Sequence, residues 1–286
     1  MPHSPRQLQE KEYPPQLLEI SDPPKELWMQ GTFPDKNTKY LTIVGSRAAT
    51  PYGKDALKLL VQGLSRYPIT IVSGLALGID GEAHKVALSA GLHTIAIPGS
   101  GLDPSCLYPR ANLTLARNIL DAGGALLSEH PPMYRPRAYD FPSRNRIMVG
   151  LSHAVLVVEA AQRSGTLITA RLSHEYNRDL LCVPHRIGDT NGFASELFLR
   201  LGATLVASPQ HILEALHIEP IEKNTQTQTH SLSGAERAVY DALKTPRSRD
   251  ELIRTVKLPG ADALSALVSL ELRGIIAEEF GAWRRV

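Results

Sequence analysis

Two stretches of the sequence decide the fold: Leu41-Thr-Ile-Val-Gly-Ser-Arg47 and Ile69-Thr-Ile-Val-Ser-Gly74. In each stretch, apolar and β-branched residues occupy successive positions and lead directly into a turn that contains glycine. Short runs of this kind are typical of strands that are covered on both faces. Four more apolar runs follow, with helix candidates between the runs; the runs span 94–97, 125–128, 154–158 and 180–183, and the helix candidates span 51–66, 80–90, 111–123, 165–178 and 193–202.

The alternation of strands and helices predicts the architecture. Strand–helix–strand units form parallel sheets, and their crossovers are almost always right-handed. The sequence therefore predicts an α/β fold, with an extended Rossmann-like, doubly wound parallel sheet in a domain over residues 40–217. Residues 1–39 contain several prolines, and we expect them to form an irregular lead-in with at most short helical turns.

A second, smaller domain is expected at the C-terminal end of the chain. Residues 218–230 are polar and are expected to form a linker. Ser233 and Glu236 have the spacing of a capping box, which opens a helix. Two more amphipathic stretches and two short strands follow within 231–286. Three helices and a terminal hairpin are typical of a winged-helix domain.

The composition excludes several classes of protein. The 286 residues are 43% hydrophobic and carry 31 Lys and Arg against 29 Asp and Glu, for a net charge of +2. This balance is ordinary for a globular chain and gives no overall argument for nucleic-acid or membrane binding. The two cysteines, Cys106 and Cys182, exclude a disulfide scaffold and a cysteine-based zinc cluster. Because no apolar run resembles a membrane span or a signal peptide, we expect a cytoplasmic protein without a membrane partner.

The ends of the predicted strands indicate an anion-binding pocket. In open parallel sheets, ligands bind beyond the carboxyl ends of the strands, where glycine amides and helix N-termini attract phosphate. Each glycine turn by itself could be an ordinary tight connection, but four of them on one rim favour a phosphate site. The turns are Gly45-Ser46-Arg47, Ser73-Gly74, Gly99-Ser100-Gly101 and Ser164-Gly165-Thr166.

Nucleotide cofactors and metals are not predicted at this pocket. No G-x-G-x-x-G fingerprint follows the first strand, no Walker motif occurs, and the ten histidines lack metal-ligand spacing. Asp80 and His84 are four positions apart, so they form either an acid–base pair or a hydrogen bond that supports the pocket. Glu159 is either a catalytic carboxylate or a supporting residue.

Positive charge is concentrated in residues 133–178. Seven arginines, no lysine and three acidic residues give this segment a net charge of +4. Tyr139 and Phe141 are interleaved with the first of these arginines. Arginines together with aromatic rings bind the phosphates and bases of single-stranded nucleic acid. The alternative is a solvated basic surface whose aromatic rings belong to the core.

Five longer motifs occur in a fixed order: 44–53, 71–84, 126–132, 141–152 and 157–171. Together they resemble the DNA-processing protein A family, which is also called DprA or Smf. The resemblance implies a non-enzymatic, usually dimeric protein without a cofactor, with a Rossmann-like domain and, in many members, a winged-helix domain. It also implies that the protein binds incoming single-stranded DNA during natural transformation, protects it and helps to load the RecA recombinase.

The resemblance also implies which residues line the DNA pocket. They are Gly45, Ser46, Arg47, Arg144, Asn145 and Arg146, together with Ser164, Gly165 and Thr166. We add Ser73, Gly74 and Arg171 as phosphate contacts, Asp80, His84 and Glu159 as pocket support, and Tyr139 and Phe141 as base-stacking residues. Leu77 departs from the family, which usually carries an arginine at this position.

Two alternative functions remain open. Nucleotide phosphoribohydrolases of the lysine-decarboxylase-like family share a related core and a loop that Ser164-Gly165-Thr166 resembles. However, Thr169 stands where those enzymes carry their catalytic glutamate, and no acidic residue follows until Glu175. The other alternative is a winged-helix DNA-binding regulator, but residues 231–286 have a net charge of only +1, which is weak for binding duplex DNA.

Overall fold

The computed structural model describes residues 4–161, 165–221, 232–273, 275–279 and 281–285. The chain divides into two compact units, Met1–Glu219 and Pro220–Val286. Of the predicted linker, residues 222–230 lie outside the described residues, and the domain boundaries given above stay predictions. In the ranges that are described, no helix is long and apolar enough to cross a membrane, and no cluster of three or more potential metal ligands occurs.

The first unit is built on a nine-stranded sheet with the order β1-β2-β6-β5-β4-β3-β7-β8-β9. The chain starts the parallel part at its centre, adds β4, β5 and β6 on one side, and then returns to add β7, β8 and β9 on the other. The strands are β1 Arg6–Gln7, β2 Trp28–Gly31, β3 Lys39–Val44, β4 Ile69–Ser73, β5 His93–Ala96, β6 Ala125–Ser128, β7 Ala154–Val157, β8 Asp179–Cys182 and β9 Thr204–Leu205. The predicted doubly wound, Rossmann-like sheet is thus confirmed.

The lead-in is more regular than its prolines suggest. Its strands β1 and β2 extend the sheet in antiparallel pairing, with β2 lying beside β6. Trp28 and Met29 pair with Ser128 and Leu127 across that boundary. The segment therefore differs from the irregular conformation predicted for 1–39, because the unpaired edge of β6 provides hydrogen-bonding partners that are remote in sequence.

Helices cover both faces of the sheet. In β3, Leu41 and Ile43 pack on one face with α2, α3 and α9, whereas Val44 packs on the other with α6, α7 and α8. This alternation follows from the two-residue period of a strand. The helices are α1 Pro15–Leu18, α2 Pro51–Gln62, α3 Ile79–Ser89, α4 Leu113–Asp121, α5 Asp140–Ser143, α6 Asn145–Leu151, α7 Thr166–Glu175, α8 Phe193–Arg200 and α9 Pro209–Ala215. Two 3₁₀ turns span Glu10–Glu12 and Arg110–Asn112.

The second unit has the predicted winged-helix elements. Its helices span Gly234–Ala242, Arg249–Thr255 and Gly260–Leu272, and its antiparallel hairpin pairs Ile276–Glu279 with Ala282–Arg285. The predicted capping box is formed, because the Ser233 side chain accepts from the Glu236 backbone N–H and the Glu236 carboxylate accepts from the Ser233 N–H. The core of this unit is formed by apolar side chains from all of these elements, including Val239, Leu252, Leu267 and Trp283.

Candidate nucleic-acid interface

The carboxyl ends of β3 and β7 form the switch point of the sheet, because the chain leaves these neighbouring strands toward opposite sides. A cavity of about 580 Å³ lies beyond them. Open α/β sheets bind their ligands at this location. The cavity brings together nine of the predicted site residues: Gly45, Ser46, Arg47, Asp80, Phe141, Arg144, Asn145, Gly165 and Thr166.

The turn after β3 is held from both sides by backbone hydrogen bonds. The Ser46 N–H donates to the Glu159 carbonyl oxygen (2.8 Å), and the Ile79 N–H donates to the Ser46 carbonyl oxygen (3.0 Å). A Cβ atom at Gly45 would lie 2.7 Å from the Ile79 side chain, so this position has no room for a larger residue. The turn is therefore closely packed against the start of α3.

Glu159 supports this turn from within the core. Its side chain is fully buried and accepts hydrogen bonds from the Thr50 N–H (2.8 Å) and the Thr50 hydroxyl (2.7 Å). Thr50 in turn caps α2, because its Oγ1 accepts from the Gly53 N–H (3.0 Å). The Glu159 carboxylate is engaged with Thr50, which gives Glu159 a structural function.

Arg144 forms the floor of the cavity, and its guanidinium group is engaged by the protein. The side chain is only 6% exposed. Its Nη1 donates to the carbonyl oxygens of Gly74 and Ile97, at the ends of β4 and β5, and its Nε donates to Asn145 Oδ1 (3.0 Å). Asp80 Oδ2 lies 3.7 Å from Nη2. Arg144 therefore ties two strand ends together, and its surroundings do not favour the direct phosphate contact predicted for it.

Burial dominates the titration of the groups beside Arg144. Burial raises the pKa of Asp80, and the neighbouring guanidinium of Arg144 opposes this shift. Burial, followed by the positive charge of Arg144, lowers the pKa of His84 to about 3. His84 is therefore neutral at physiological pH. Its Nδ1 lies 2.7 Å from Thr94 Oγ1, so its hydrogen bond is made to β5 and not to Asp80.

Four other predicted phosphate contacts, Ser73, Gly74, Arg146 and Arg171, do not line the cavity. Arg146 is paired with Asp22 (Nε to Oδ2, 3.0 Å) and with Glu129, so it joins the lead-in to the main domain. Ser73 is buried, and its hydroxyl donates to the Ile43 carbonyl oxygen (2.6 Å). Arg171 is exposed on α7 and does not line the cavity.

Arg47 lines the cavity and is exposed, so it places a positive charge at the mouth. Its Cζ atom lies 5.7 Å from the centre of the Phe141 ring, within the range of a cation–π contact. Phe141 lines the cavity, whereas Tyr139 is 59% exposed and does not line it. Ser164, the remaining predicted contact, lies outside the described residues.

A second cavity of about 490 Å³ adjoins the first one, and Phe141 lines both of them. Sequence reasoning missed Tyr108 and Arg110, which line this cavity together with Arg135 and Arg137. The two missed residues precede the arginine-rich segment by more than 20 positions. Their sequence signal is an arginine two positions after a tyrosine, which lies outside the dense arginine segment.

The chain is a two-domain protein of the α/β class. Its first domain is doubly wound and has an arginine-bearing cavity at the switch point of the sheet, and its second domain has the winged-helix elements. The family model for DNA recombination-mediator protein A matches residues 6–217, and the DprA winged helix domain matches residues 223–281. The chain therefore belongs to the DNA-processing protein A (DprA/Smf) family.

Individual relatives support this assignment. Protein Smf of Escherichia coli K12 is 38% identical over 96% of this chain and 75% of its own length. The crystal structure of DprA from Streptococcus pneumoniae superposes with a TM-score of 0.69 at 36% identity, covering 76% of this chain and 75% of that one. DprA from Helicobacter pylori, whose structure concerns its single-stranded DNA binding mode, has a TM-score of 0.64 at 30% identity, covering 74% and 95% of the two chains.

Proposed function

We propose that this protein is a cytoplasmic, non-enzymatic single-stranded DNA-binding protein. It would protect incoming DNA during natural transformation and help to load the RecA recombinase. Membership of the DprA family supports this proposal, as does the H. pylori relative, whose structure concerns single-stranded DNA binding. The observation that carries it is the first cavity, where the exposed Arg47 lies beside the Phe141 ring.

The mouth of the first cavity supplies the proposed DNA contacts. Arg47 binds a backbone phosphate with its guanidinium fork. The backbone around Gly45, Ser46, Gly165 and Thr166 approaches the same strand, and Phe141 stacks on a base. Arg144 and Arg146 act as supports, because their guanidinium groups are already engaged by the protein. Arg171 remains an outer phosphate contact, since it is exposed.

The carboxylates around the cavity support a non-enzymatic function. Asp80 is buried beside Arg144, and Glu159 is held by Thr50. Thr169 lines the cavity at the position where the phosphoribohydrolases carry their catalytic glutamate. None of these three residues offers a free carboxylate to a substrate. Release of free base from nucleoside monophosphates by the purified protein would contradict the proposal and favour the alternative function of a nucleotide phosphoribohydrolase.

A homodimer is part of the proposal, and the far edge of the sheet supports it. The strand β9 is the last one in the sheet order. Leu197 on α8, Leu201 directly after that helix and Leu205 on β9 are exposed there, and Leu201 is 74% exposed. An edge strand beside exposed leucines is a surface that proteins usually cover. Leu201→Glu should therefore convert a dimer to a monomer in light scattering.

The proposal is tested by a salt titration of binding to single-stranded and double-stranded DNA of equal length, read by fluorescence anisotropy. Single strands should bind more tightly. Arg47→Ala should weaken binding and reduce the slope of log affinity against log salt by about 0.7, the loss of one phosphate contact. Arg117→Ala is the matched control, because Arg117 is exposed on α4 and lines neither cavity. Equal affinity of the Arg47→Ala variant and the wild type would overturn the pocket assignment.

A further inference from the structure

The second cavity has the chemistry of a nucleotide site. Arg110, Arg135 and Arg137 are exposed around it, and no carboxylate lines it among the residues that the structure describes. Tyr108 is 48% exposed, and its ring centre lies 5.3 Å from that of Phe141, with the rings inclined at 51°. The volume of the second cavity, about 490 Å³, lies within the usual range for small-molecule sites.

The walls of the second cavity are tied together before any ligand arrives. The Gly101 N–H donates to the Tyr134 carbonyl oxygen (3.0 Å), and the Asp103 N–H donates to the Pro132 carbonyl oxygen (2.9 Å). The Cys106 thiol donates to the Met133 carbonyl oxygen (3.0 Å). These contacts join the loop after β5 to the loop after β6. The cavity is therefore part of the folded framework.

Asp140 holds the arginine-bearing loop in place. It is buried, and its Oδ2 accepts from the Tyr134 hydroxyl (3.0 Å) and from the Arg137 N–H (2.6 Å). Arg137 itself donates from Nη1 to the Tyr139 hydroxyl (3.3 Å). The backbone of this loop is thus anchored, while the side chains of Arg135 and Arg137 extend into solvent at the cavity.

The two cavities form one continuous series of charges and rings. Arg47 lies at the mouth of the first cavity beside Phe141, Phe141 is shared, Tyr108 follows, and the arginines of the second cavity flank Tyr108. A single DNA strand likewise alternates phosphates with bases that have exposed faces. An acidic peptide would use the arginines and would leave the rings without a partner. The chemistry therefore favours a nucleotide strand.

Building on the proposed function, we propose that the second cavity binds the nucleotides next to those held in the first cavity, on the same single strand. Tyr108 stacks on a base, and Arg135 and Arg137 bind the adjoining phosphates. Phe141 separates the two subsites. Short oligonucleotides then fill only the first cavity, and longer ones engage both.

A length series of oligothymidylates tests this proposal. Against the wild type, Tyr108→Leu should leave the affinity for the shortest oligonucleotides unchanged and lower it about tenfold for longer ones, the usual effect of losing one stacked base. Tyr52→Leu is the matched control, because Tyr52 is also 48% exposed and lines neither cavity. Equal affinities of Tyr108→Leu and the wild type at every length, or the same loss at every length, would overturn the proposal.

The arginines give an independent measurement. Arg135→Gln combined with Arg137→Gln should lower the salt slope by about 1.4 for long oligonucleotides, about 0.7 for each lost contact, and should not change it for the shortest. An unchanged slope for long oligonucleotides would contradict the second subsite.

The two proposals fail in different ways. If Arg47→Ala weakens binding at all lengths while the Tyr108 and arginine variants do not, only the second subsite fails; if Arg47→Ala has no effect, the proposed function fails.

Discussion

The floor and the mouth of the first cavity carry the same kind of side chain in opposite environments. At the floor, Arg144 is buried and its guanidinium is bound to carbonyl oxygens of Gly74 and Ile97 and lies beside Asp80. At the mouth, Arg47 is exposed and contacts the Phe141 ring. A buried charge has to be paired and hydrogen-bonded, whereas an exposed one remains available to a ligand. Arginines in family motifs can therefore serve stability or binding, depending on burial.

The largest expected effect concerns the floor. Arg144→Ala should lower the free energy of unfolding by about 3–5 kcal/mol, because it removes the partner of the buried Asp80 and of two strand-end carbonyls. Urea unfolding followed by circular dichroism measures this loss. The double variant with Asp80→Asn should recover part of it, since the buried carboxylate is then removed as well. Normal stability combined with weakened DNA binding would show that Arg144 contacts DNA directly.

The next effect is a dependence of stability on pH. The folded protein holds the pKa of His84 at about 3, and the unfolded chain has the ordinary value of about 6.5. The unfolded state therefore binds the proton first, and stability falls as the pH decreases from about 6.5 towards about 3. At pH 5, this contribution amounts to about 2 kcal/mol relative to pH 7.

His84→Gln isolates the contribution of this histidine. Its unfolding free energy should change less between pH 7 and pH 5 than that of the wild type, by about the same 2 kcal/mol. Other groups titrate equally in both proteins, so the difference between the two slopes reports on His84. If the unfolding free energies of the wild type and of His84→Gln changed equally with pH, the buried site would accept a charged imidazole, contrary to its burial.

A smaller effect concerns Thr50 and Glu159, which support the turn that carries Arg47 at the mouth. Thr50→Ala should cost about 1–2 kcal/mol of stability, because it removes the cap of α2 and one of the two hydrogen bonds to Glu159. Thr50→Ser keeps the hydroxyl and should stay close to the wild type. Thermal unfolding of the two variants measures the difference. A similar loss in both would assign the effect to the methyl group of Thr50.

The smallest effect concerns the mouth. Arg47→Lys should leave stability within about 0.5 kcal/mol of the wild type, as expected for an exposed residue. It keeps the charge but loses the planar fork, so DNA affinity should fall slightly while the salt slope is retained. Anisotropy titrations at several salt concentrations check this. A large loss of stability would mean that Arg47 is also a structural residue.

Much of the fold was predictable because its signals are local. Apolar residues in short runs, glycine at the turns and the capping box of Ser233 and Glu236 depend on neighbours within a few positions. They predicted the parallel sheet and the winged-helix elements. The strands β1 and β2 were not predicted, because their formation depends on the pairing of β2 with β6, about 100 positions later in the chain.

The sequence by itself determined the order of the strands along the chain, the glycine turns at their ends and the concentration of arginine, because these are properties of composition and short-range periodicity. Tertiary structure decided which arginines are available. Arg144 meets acceptors 70 and 47 positions away, and the ring of Tyr108, in the loop after β5, meets the ring of Phe141 on α5, 33 positions later. Whether a charged side chain is buried and paired depends on contacts between segments that are remote in sequence, because an unpaired buried charge is costly. No short stretch of sequence encodes those contacts.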